Sequence, residues 1–486
     1  MPAPPAAPTM PGMRHERDIE EVPVLIVGAG PAGLTAAVTL ARYGVESLVV
    51  ERRPDLSALP RATTLSTRTM ELLRSWGLED EVRAGGAEVE MRVWQSETLA
   101  RVSEGTALPG GFPTREHSAL VSPTAAACVP QDWLEPVLLR HLRSLGVARV
   151  EFGMELAEPV TGPDGVRAVI RDVTTGERRV VRARYLIAAD GAHSRVRKAL
   201  GIRMRGRPDL EDAVAVLFRA PLWQVVGEHR YVLYSVTRPD DMGLFLPAGP
   251  GDRWLYGLLL EDGAGRPADF TEEVLTRRIL DGAGVGDLRP RIERIGAFSF
   301  VAQVAETFRS GSGFLVGDAA HRATPRGGTG LNTAIHDGHD LGWKLAWVLR
   351  RWSGAELLDS YEAERRPVAE HNVGWSADPN ASRRPPEDPL AVDLGGRIRH
   401  VWLPTERVST LDLIGQGLTR FAGPDAAETA HPTAGSVPVT ERRLDAITAR
   451  ALGIPAGGAL LVRPDGAPTA LVPSVTRTAA RLRQAA

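Results

Sequence analysis

Val22 to Val27 is an almost unbroken apolar run, the pattern of a strand buried on both faces of a parallel sheet. It ends in Gly28-Ala29-Gly30-Pro31-Ala32-Gly33, and a helical run from Leu34 to Tyr43 follows, with Gly44 as its cap. A second short strand, Ser47 to Val50, closes on Glu51. These pieces predict a β–α–β unit with glycines in the turn that opens its helix. Gly28 permits the tight turn, Gly30 lets the backbone approach a pyrophosphate, and Gly33 lets helix and strand pack closely. The helix N-terminus adds amide donors and the positive end of its dipole. Glu51 is placed to accept hydrogen bonds from ribose hydroxyls. A glycine triplet alone is a weak signal. With strand, helix and terminal glutamate in place it reads as a dinucleotide site.

Two further strand ends carry small residues and a carboxylate. Arg184 to Ala189 runs into Asp190-Gly191-Ala192-His193-Ser194 and then Arg195 to Leu200. Gly313 to Val316 runs into Gly317-Asp318 and on to His321-Arg322-Ala323-Thr324-Pro325-Arg326-Gly327-Gly328-Thr329-Gly330-Leu331-Asn332. Ligands of open α/β sheets sit at such carboxyl ends. A ligand reaching all three must be longer than an adenosine diphosphate, and a flavin dinucleotide has that length. Between these ends, in 201–310, the pattern changes to short β-rich runs: Val214 to Arg219, Tyr231 to Val236, Gly243 to Pro247 and Trp254 to Leu260. Turn residues separate them, which predicts an inserted, mostly antiparallel sheet. Its aromatics Phe218, Tyr234, Phe245 and Trp254 are candidate substrate contacts; the other reading makes them the sheet's own core.

Composition narrows the function classes. The 486 residues carry 58 Lys+Arg and 60 Asp+Glu, a net charge of −2, so there is no global attraction to nucleic acid or an anionic membrane. Cys128 is the single cysteine, which excludes an intramolecular disulfide and a Cys-rich metal site. The first twenty residues hold five prolines and no apolar run, so a disordered tail over 1–20 is expected rather than a signal peptide. No uninterrupted apolar stretch reaches spanning length, and a soluble, cytoplasmic protein is expected. His336 and His339 lie three apart on one helix with Asp340 beside them, but no further ligand cluster is visible and no metal is expected. After Trp375, SADPNASRRPPEDPL reads as a polar linker.

Five stretches carry a resemblance: VLIVGAGPAGL with Glu51-Arg52, Pro60-Arg61-Ala62, DGAHSRVRKALGI, GFLVGDAAHRATPRGGTGLNTAIHDGHDLGWKLAWVLR, and Tyr361-Glu362-Ala363-Glu364-Arg365-Arg366-Pro367. In this order they resemble the FAD-dependent aromatic hydroxylases, the single-component flavoprotein monooxygenases, and within them the polyketide and natural-product hydroxylases. The resemblance implies an α/β protein in three parts. A Rossmann-like FAD-binding domain covers 21–200 and 296–375. The inserted substrate sheet covers 201–295, and a small thioredoxin-like domain lacking Cys-x-x-Cys covers 396–486. The implied reaction uses NAD(P)H and O2 to hydroxylate an aromatic or polycyclic small molecule through a flavin hydroperoxide. Baeyer–Villiger insertion, epoxidation and a redox-silent FAD-binding role stay open, and a homodimer is a further expectation.

Residue roles follow from the same resemblance. Gly28, Gly30 and Gly33 would face the pyrophosphate and Glu51 the adenosine ribose. Arg52 and Arg61 would border the adenosine and pyrophosphate, and Asp190 and Gly191 would also bind the cofactor. Gln131 would lie near the ribityl chain, and Asp318 would bind one of its hydroxyls. Pro325, Gly328 and Gly330 put small backbone before a helix expected from Leu331 to Trp352. Its first amides, on Leu331 and Asn332, would point at the flavin's pyrimidine end, where a reduced flavin is anionic. Asn332 as an ordinary N-cap is the alternative. Pro325 is also a candidate substrate neighbour, and no protein base emerges.

Overall fold

Val24, Leu25 and Ile26 expose no surface, because the strand Glu20–Val27 lies between two parallel neighbours. The computed structural model describes residues 19–108, 112–162, 165–238, 243–260, 269–378, 393–404, 407–428 and 436–472. The expected N-terminal tail up to residue 18, most of the linker after Trp375 and the chain beyond residue 472 lie outside the described residues.

The first sheet has eight strands, its main path running Arg309–Ser310, Gly313–Leu315, Arg178–Ala188, Glu20–Val27, Ser47–Glu51, Ala148–Phe152. All neighbours from Gly313–Leu315 to Ala148–Phe152 are parallel. Met154–Gly162 and Gly165–Asp172 form a hairpin that joins Arg178–Ala188 antiparallel. Register places Val27 beside Val50 and Ala188, and Ala188 beside Leu315. The three strand ends singled out above therefore leave the sheet from one row. Two helices cross over this row, Pro31–Arg42 and Gly330–Leu349. They pack closely because Gly338 has no side chain: a Cβ there would lie 2.3 Å from Ala32 O.

The second sheet also has eight strands, ordered His321–Arg322, Arg291–Ala305, Met204–Arg219, Arg253–Leu260, Gly243–Pro247, Tyr231–Val236, Glu90–Ser96, Thr106–Leu108. Only Tyr231–Val236 and Glu90–Ser96 run parallel; the other pairs are antiparallel. Its limits differ from the expected 201–295. Two strands come from inside the 21–200 segment, and Arg291–Ala305 runs through the expected boundary. The reason is physical. Met204–Arg219 pairs with Arg291–Ala305 along nearly its whole length, but each strand is exposed or half-buried over its own first half, at opposite ends of the antiparallel ribbon. A strand that faces water on both sides carries no hydrophobic alternation to read.

A third sheet of four strands, Val439–Arg443, Leu418–Ala422, Ala459–Val462, Pro468–Val472, has one parallel pair followed by two antiparallel ones. Phe421, Leu460 and Val462 fill its core. It docks on the first unit: Trp347 Nε1 and Tyr43 Oη both donate to Gln416 O, at 3.0 and 2.9 Å. Arg463 makes two bonds of 2.7 and 2.9 Å to Glu364, from the Tyr361–Pro367 motif. Among the described residues no helix is long and apolar enough to cross a membrane.

Candidate active site

A cavity of about 780 Å³ opens where the row of parallel strand ends meets the second sheet. At one end it is walled by Gly28, Gly30, Glu51, Arg52, Arg61, Gln131, Asp190, Gly191 and Asp318, and where the long helix begins by Pro325, Gly328, Gly330 and Leu331. Gly33 and Asn332 are the two expected cofactor residues that do not line it.

The glycine turn separates three jobs. Gly28 sits at φ 110°, and a Cβ there would lie 2.2 Å from Ala189 O. Gly33 is under the turn, where a Cβ would lie 2.0 Å from Gly28 O. Gly30 alone meets nothing within 4 Å and leaves its backbone open to the cavity. Glu51 holds this turn from below: its carboxylate accepts from Ala29 N and Arg53 N, both at 3.0 Å. Asp190 caps the helix Arg195–Ala199, accepting from Arg195 N at 2.7 Å and Val196 N at 3.1 Å.

Asp318 projects into the cavity and is exposed there, although protein surrounds it. That surrounding protein raises its carboxyl pKa, and His321, Arg61 and Arg322 oppose the rise. The turn that carries it is tied to a residue the sequence reading passed over. Asp337 has no exposed surface; its Oδ2 accepts from Gly317 N at 3.1 Å and lies 2.6 Å from His321 Nε2. Its Oδ1 accepts from Arg365 Nε at 2.8 Å. Burial works against this carboxylate, but His321 and Arg365 hold its pKa below the ordinary value. The available signal was position. Asp337 lies one turn from Thr333 and one from Leu341, on the buried side of the helix. His321 thus points at Asp337.

The long helix begins at Gly330 and ends at Leu349, so Asn332 is its third residue and not its N-cap. The amides of Gly330, Leu331 and Asn332 have no intrahelical acceptor, and the first two residues line the cavity. Asn332's side chain is fully engaged elsewhere. Its Oδ1 accepts from Ser66 N and Thr69 Oγ1, both at 2.8 Å, and its Nδ2 donates to Gly328 O at 2.9 Å and Thr64 O at 3.2 Å. It ties two walls of the cavity together. His336 Nε2 lies 3.2 Å from Thr69 Oγ1, while His339 packs near the Trp76 ring. The nearby acids Asp340, Glu364 and Asp465 converge, but Lys344 bonds the first two and Arg463 the last two.

The sheet end of the cavity corrects the expected substrate contacts. Phe218, Tyr234, Phe245 and Trp254 are fully buried, and none of them lines the cavity. Pairing explains this. Phe245 stands opposite Tyr256, while the next pair, Leu246 and Leu255, points the other way. The aromatics pack against Leu275 and Ile279 of the helix Glu272–Ala283 on the sheet's outer face. The cavity receives Met91, Val93, Val232, Leu233, Leu246 and Leu255 instead, with Phe112 and Pro325 across from them. Alternation within these strands was legible, but which phase faced the ligand was not.

These residues fit a flavin dinucleotide. Open backbone at Gly30, free helix amides at two ends of the cavity, and a carboxylate at Asp318 match its diphosphate, pyrimidine and polyol parts. The chain matches the FAD binding domain family over residues 21–376. It is 35% identical to a tetracenomycin A2 monooxygenase-dioxygenase of Streptomyces glaucescens, with 92% of each chain covered. It is likewise 35% identical to an aklavinone 12-hydroxylase of Streptomyces purpurascens, over 92% of this chain and 94% of that one. Among solved structures, aklavinone-11 hydroxylase in ternary complex with FAD and aklavinone superposes with a TM-score of 0.84 at 32% identity, covering 96% of this chain and 98% of that one. The matched span contains the glycine turn, all three strand ends and the long helix, and the chain belongs to the FAD-dependent aromatic hydroxylases.

Proposed function

We propose that this enzyme hydroxylates a polycyclic, polyketide-type aromatic compound, drawing electrons from NAD(P)H and oxygen from O2. One observation carries the reading: a single cavity runs from the dinucleotide glycines to a wall of aliphatic side chains. A flat apolar substrate on that wall would lie beside Pro325 and the first turn of the long helix. The bound FAD supplies hydride acceptance and oxygen activation. The chain supplies position and exclusion of water. Gly30 and the N-terminus of Pro31–Arg42 would hold the diphosphate, with Arg52 and Arg61 at its sides. Gln131 and Asp318 would hold the ribityl hydroxyls. The amides of Gly330, Leu331 and Asn332 would stabilise negative charge on the pyrimidine ring as it forms.

No second glycine turn for a nicotinamide dinucleotide is visible in the sequence, so NAD(P)H would dock transiently at the cavity mouth. The C-terminal sheet supports the thioredoxin-like reading: its strand order, with the third strand antiparallel, is that of such domains. Without a cysteine pair its role would be structural, bracing the long helix or a homodimer, in a cytoplasmic setting.

The test is oxygen-isotope labelling. Reconstituted holoenzyme, NADPH or NADH, and a panel of anthracyclinone- and naphthacene-type substrates are incubated under labelled O2. The expected product carries one labelled oxygen. A product whose new oxygen comes from water, or flavin bleaching with no oxygenated product across the panel, would overturn the reading.

A further inference from the structure

Glu135 is a buried carboxylate that nothing above employs. It lines the cavity with only 2% of its surface exposed, on the helix Gln131–Ser144. An isolated buried carboxylate is costly unless it is bonded or paired. Its side-chain partner is Gln131, one helical turn earlier, whose Nε2 donates to Glu135 Oε1 at 2.7 Å. Burial raises its pKa, while the bonds from Gln131 and the Ser57 backbone and the charges of Arg61 and Arg53 oppose the rise.

The chemistry of this pair fixes an orientation. A carboxylate can only accept hydrogen bonds, so the Gln131 amide must present its NH2 to Glu135. Its carbonyl oxygen then has one place to go. Among the described residues the bond to Glu135 is the one side-chain hydrogen bond Gln131 makes, so its Oε1 is left to the cavity that the residue lines. The backbone is pinned as well: Gln131 N donates to Ala62 O at 2.8 Å, tying the helix start to the Pro60-Arg61-Ala62 stretch. Rotation about the side chain is thus the one freedom left, and the carboxylate removes it.

We infer that Glu135 is a positioning residue which locks the Gln131 amide so that its carbonyl oxygen faces the cofactor's polyol as a hydrogen-bond acceptor. The inference rests on the reading of Gln131 as a ribityl neighbour. The carboxylate matters here for its polarity and not for its bulk. An amide at 135 could donate as well as accept, and would let Gln131 turn either way. A leucine at 135 would offer no bond at all.

The experiment is a double-substitution cycle read as FAD affinity, measured by flavin fluorescence quenching on reconstitution of apoprotein. The variants are Q131A, E135Q, E135L, Q131A/E135Q and Q131A/E135L, with apoprotein melting temperatures alongside. Q131A is expected to weaken FAD about tenfold, the loss of one charge-free hydrogen bond at the upper end of its range. E135L should weaken it to a similar degree and E135Q about threefold, and both effects should vanish in the Q131A background. A packing role for Glu135 would leave the isosteric E135Q unchanged in both affinity and melting temperature, while E135L would lower melting temperature without changing affinity. Wild-type affinity in E135Q and E135L, or losses that persist undiminished in the Q131A background, would overturn the inference while leaving Gln131's role intact. Wild-type affinity in Q131A would remove the ribityl reading and the inference with it.

Discussion

The two ends of the cavity are built by different means. The end at the glycine turn is walled by backbone amides, carboxylates and arginines that follow four strands of one row of a parallel sheet. The far end is walled by aliphatic side chains contributed by strands as distant in sequence as Glu90–Ser96 and Arg253–Leu260. The first end depends on short-range chain geometry and on charge, so each residue there has one task. The second depends on which phase of a sheet faces inward, so its members share a task and differ in degree. The contrast predicts that substitutions at the polar end should alter cofactor affinity and pH response, while those at the sheet should alter either stability or substrate affinity according to face.

The largest effects test the sheet's faces and the deepest charge. Trp254→Ala removes a fully buried ring that contacts Trp223 and Tyr234, at a cost of about 3–5 kcal/mol in stability. The melting temperature should fall, with KM for substrate unchanged in the folded fraction. A shifted KM at unchanged stability would place Trp254 on the cavity side and break the assignment. At the polar end, Asp337→Asn leaves Arg365 and His321 without their shared carboxylate, again at about 3–5 kcal/mol near neutral pH. This effect carries a pH signature. Because the folded state holds Asp337 below its ordinary pKa, its contribution is present above the usual carboxylate range and is lost as pH falls through the folded value. Denaturation curves of wild type and variant should therefore converge in acid; parallel curves down to acid would deny the pairing.

Much of this was legible in the sequence, and the misses share a cause. The β–α–β unit, the DG and GD strand ends and the glycines before the long helix all depend on residues within a few positions of one another. Each expected cofactor residue there except Gly33 and Asn332 reached the cavity wall. Those two serve it from behind, as a packing glycine and as a strap between Gly328 and Thr64. The expected aromatics of the sheet do not line the cavity, because alternation fixes two faces without naming the inner one. Phe245 and Leu246 are adjacent and apolar, and only the helix Glu272–Ala283 packing on one side decides between them. Asp337 was missed because its partners, His321 and Arg365, lie 16 and 28 residues away on other elements.

Asp318→Asn probes the polar end more gently. If the carboxylate holds a ribityl hydroxyl, losing its charge-assisted bond should weaken FAD by about 1.5–3 kcal/mol. The apoprotein should melt as before, since Asp318 is exposed to the cavity and its side chain braces no other element. Equal FAD affinity in variant and wild type, measured by ultrafiltration of bound flavin, would move the ribityl contact to another residue.

Leu255→Val is the smallest and most discriminating change. Leu255 is half-buried on the inner face, opposite Leu246 on one neighbouring strand and Leu217 on the other. Its side chain meets the cavity, so trimming one methylene removes contact with substrate more than contact with the core. A buried methylene is worth about 0.8 kcal/mol, which corresponds to a roughly fourfold rise in KM. Stability should change by less than about 0.5 kcal/mol and FAD affinity not at all, because the polar end is untouched. The rise should also be independent of pH, since no titratable group on the sheet's inner face lines the cavity among the described residues. Steady-state kinetics across pH 6–9 on an accepted substrate checks this. An unchanged KM with a lowered melting temperature would show that Leu255 belongs to the core, and would turn the inner face of the sheet back into an open question about where the substrate lies.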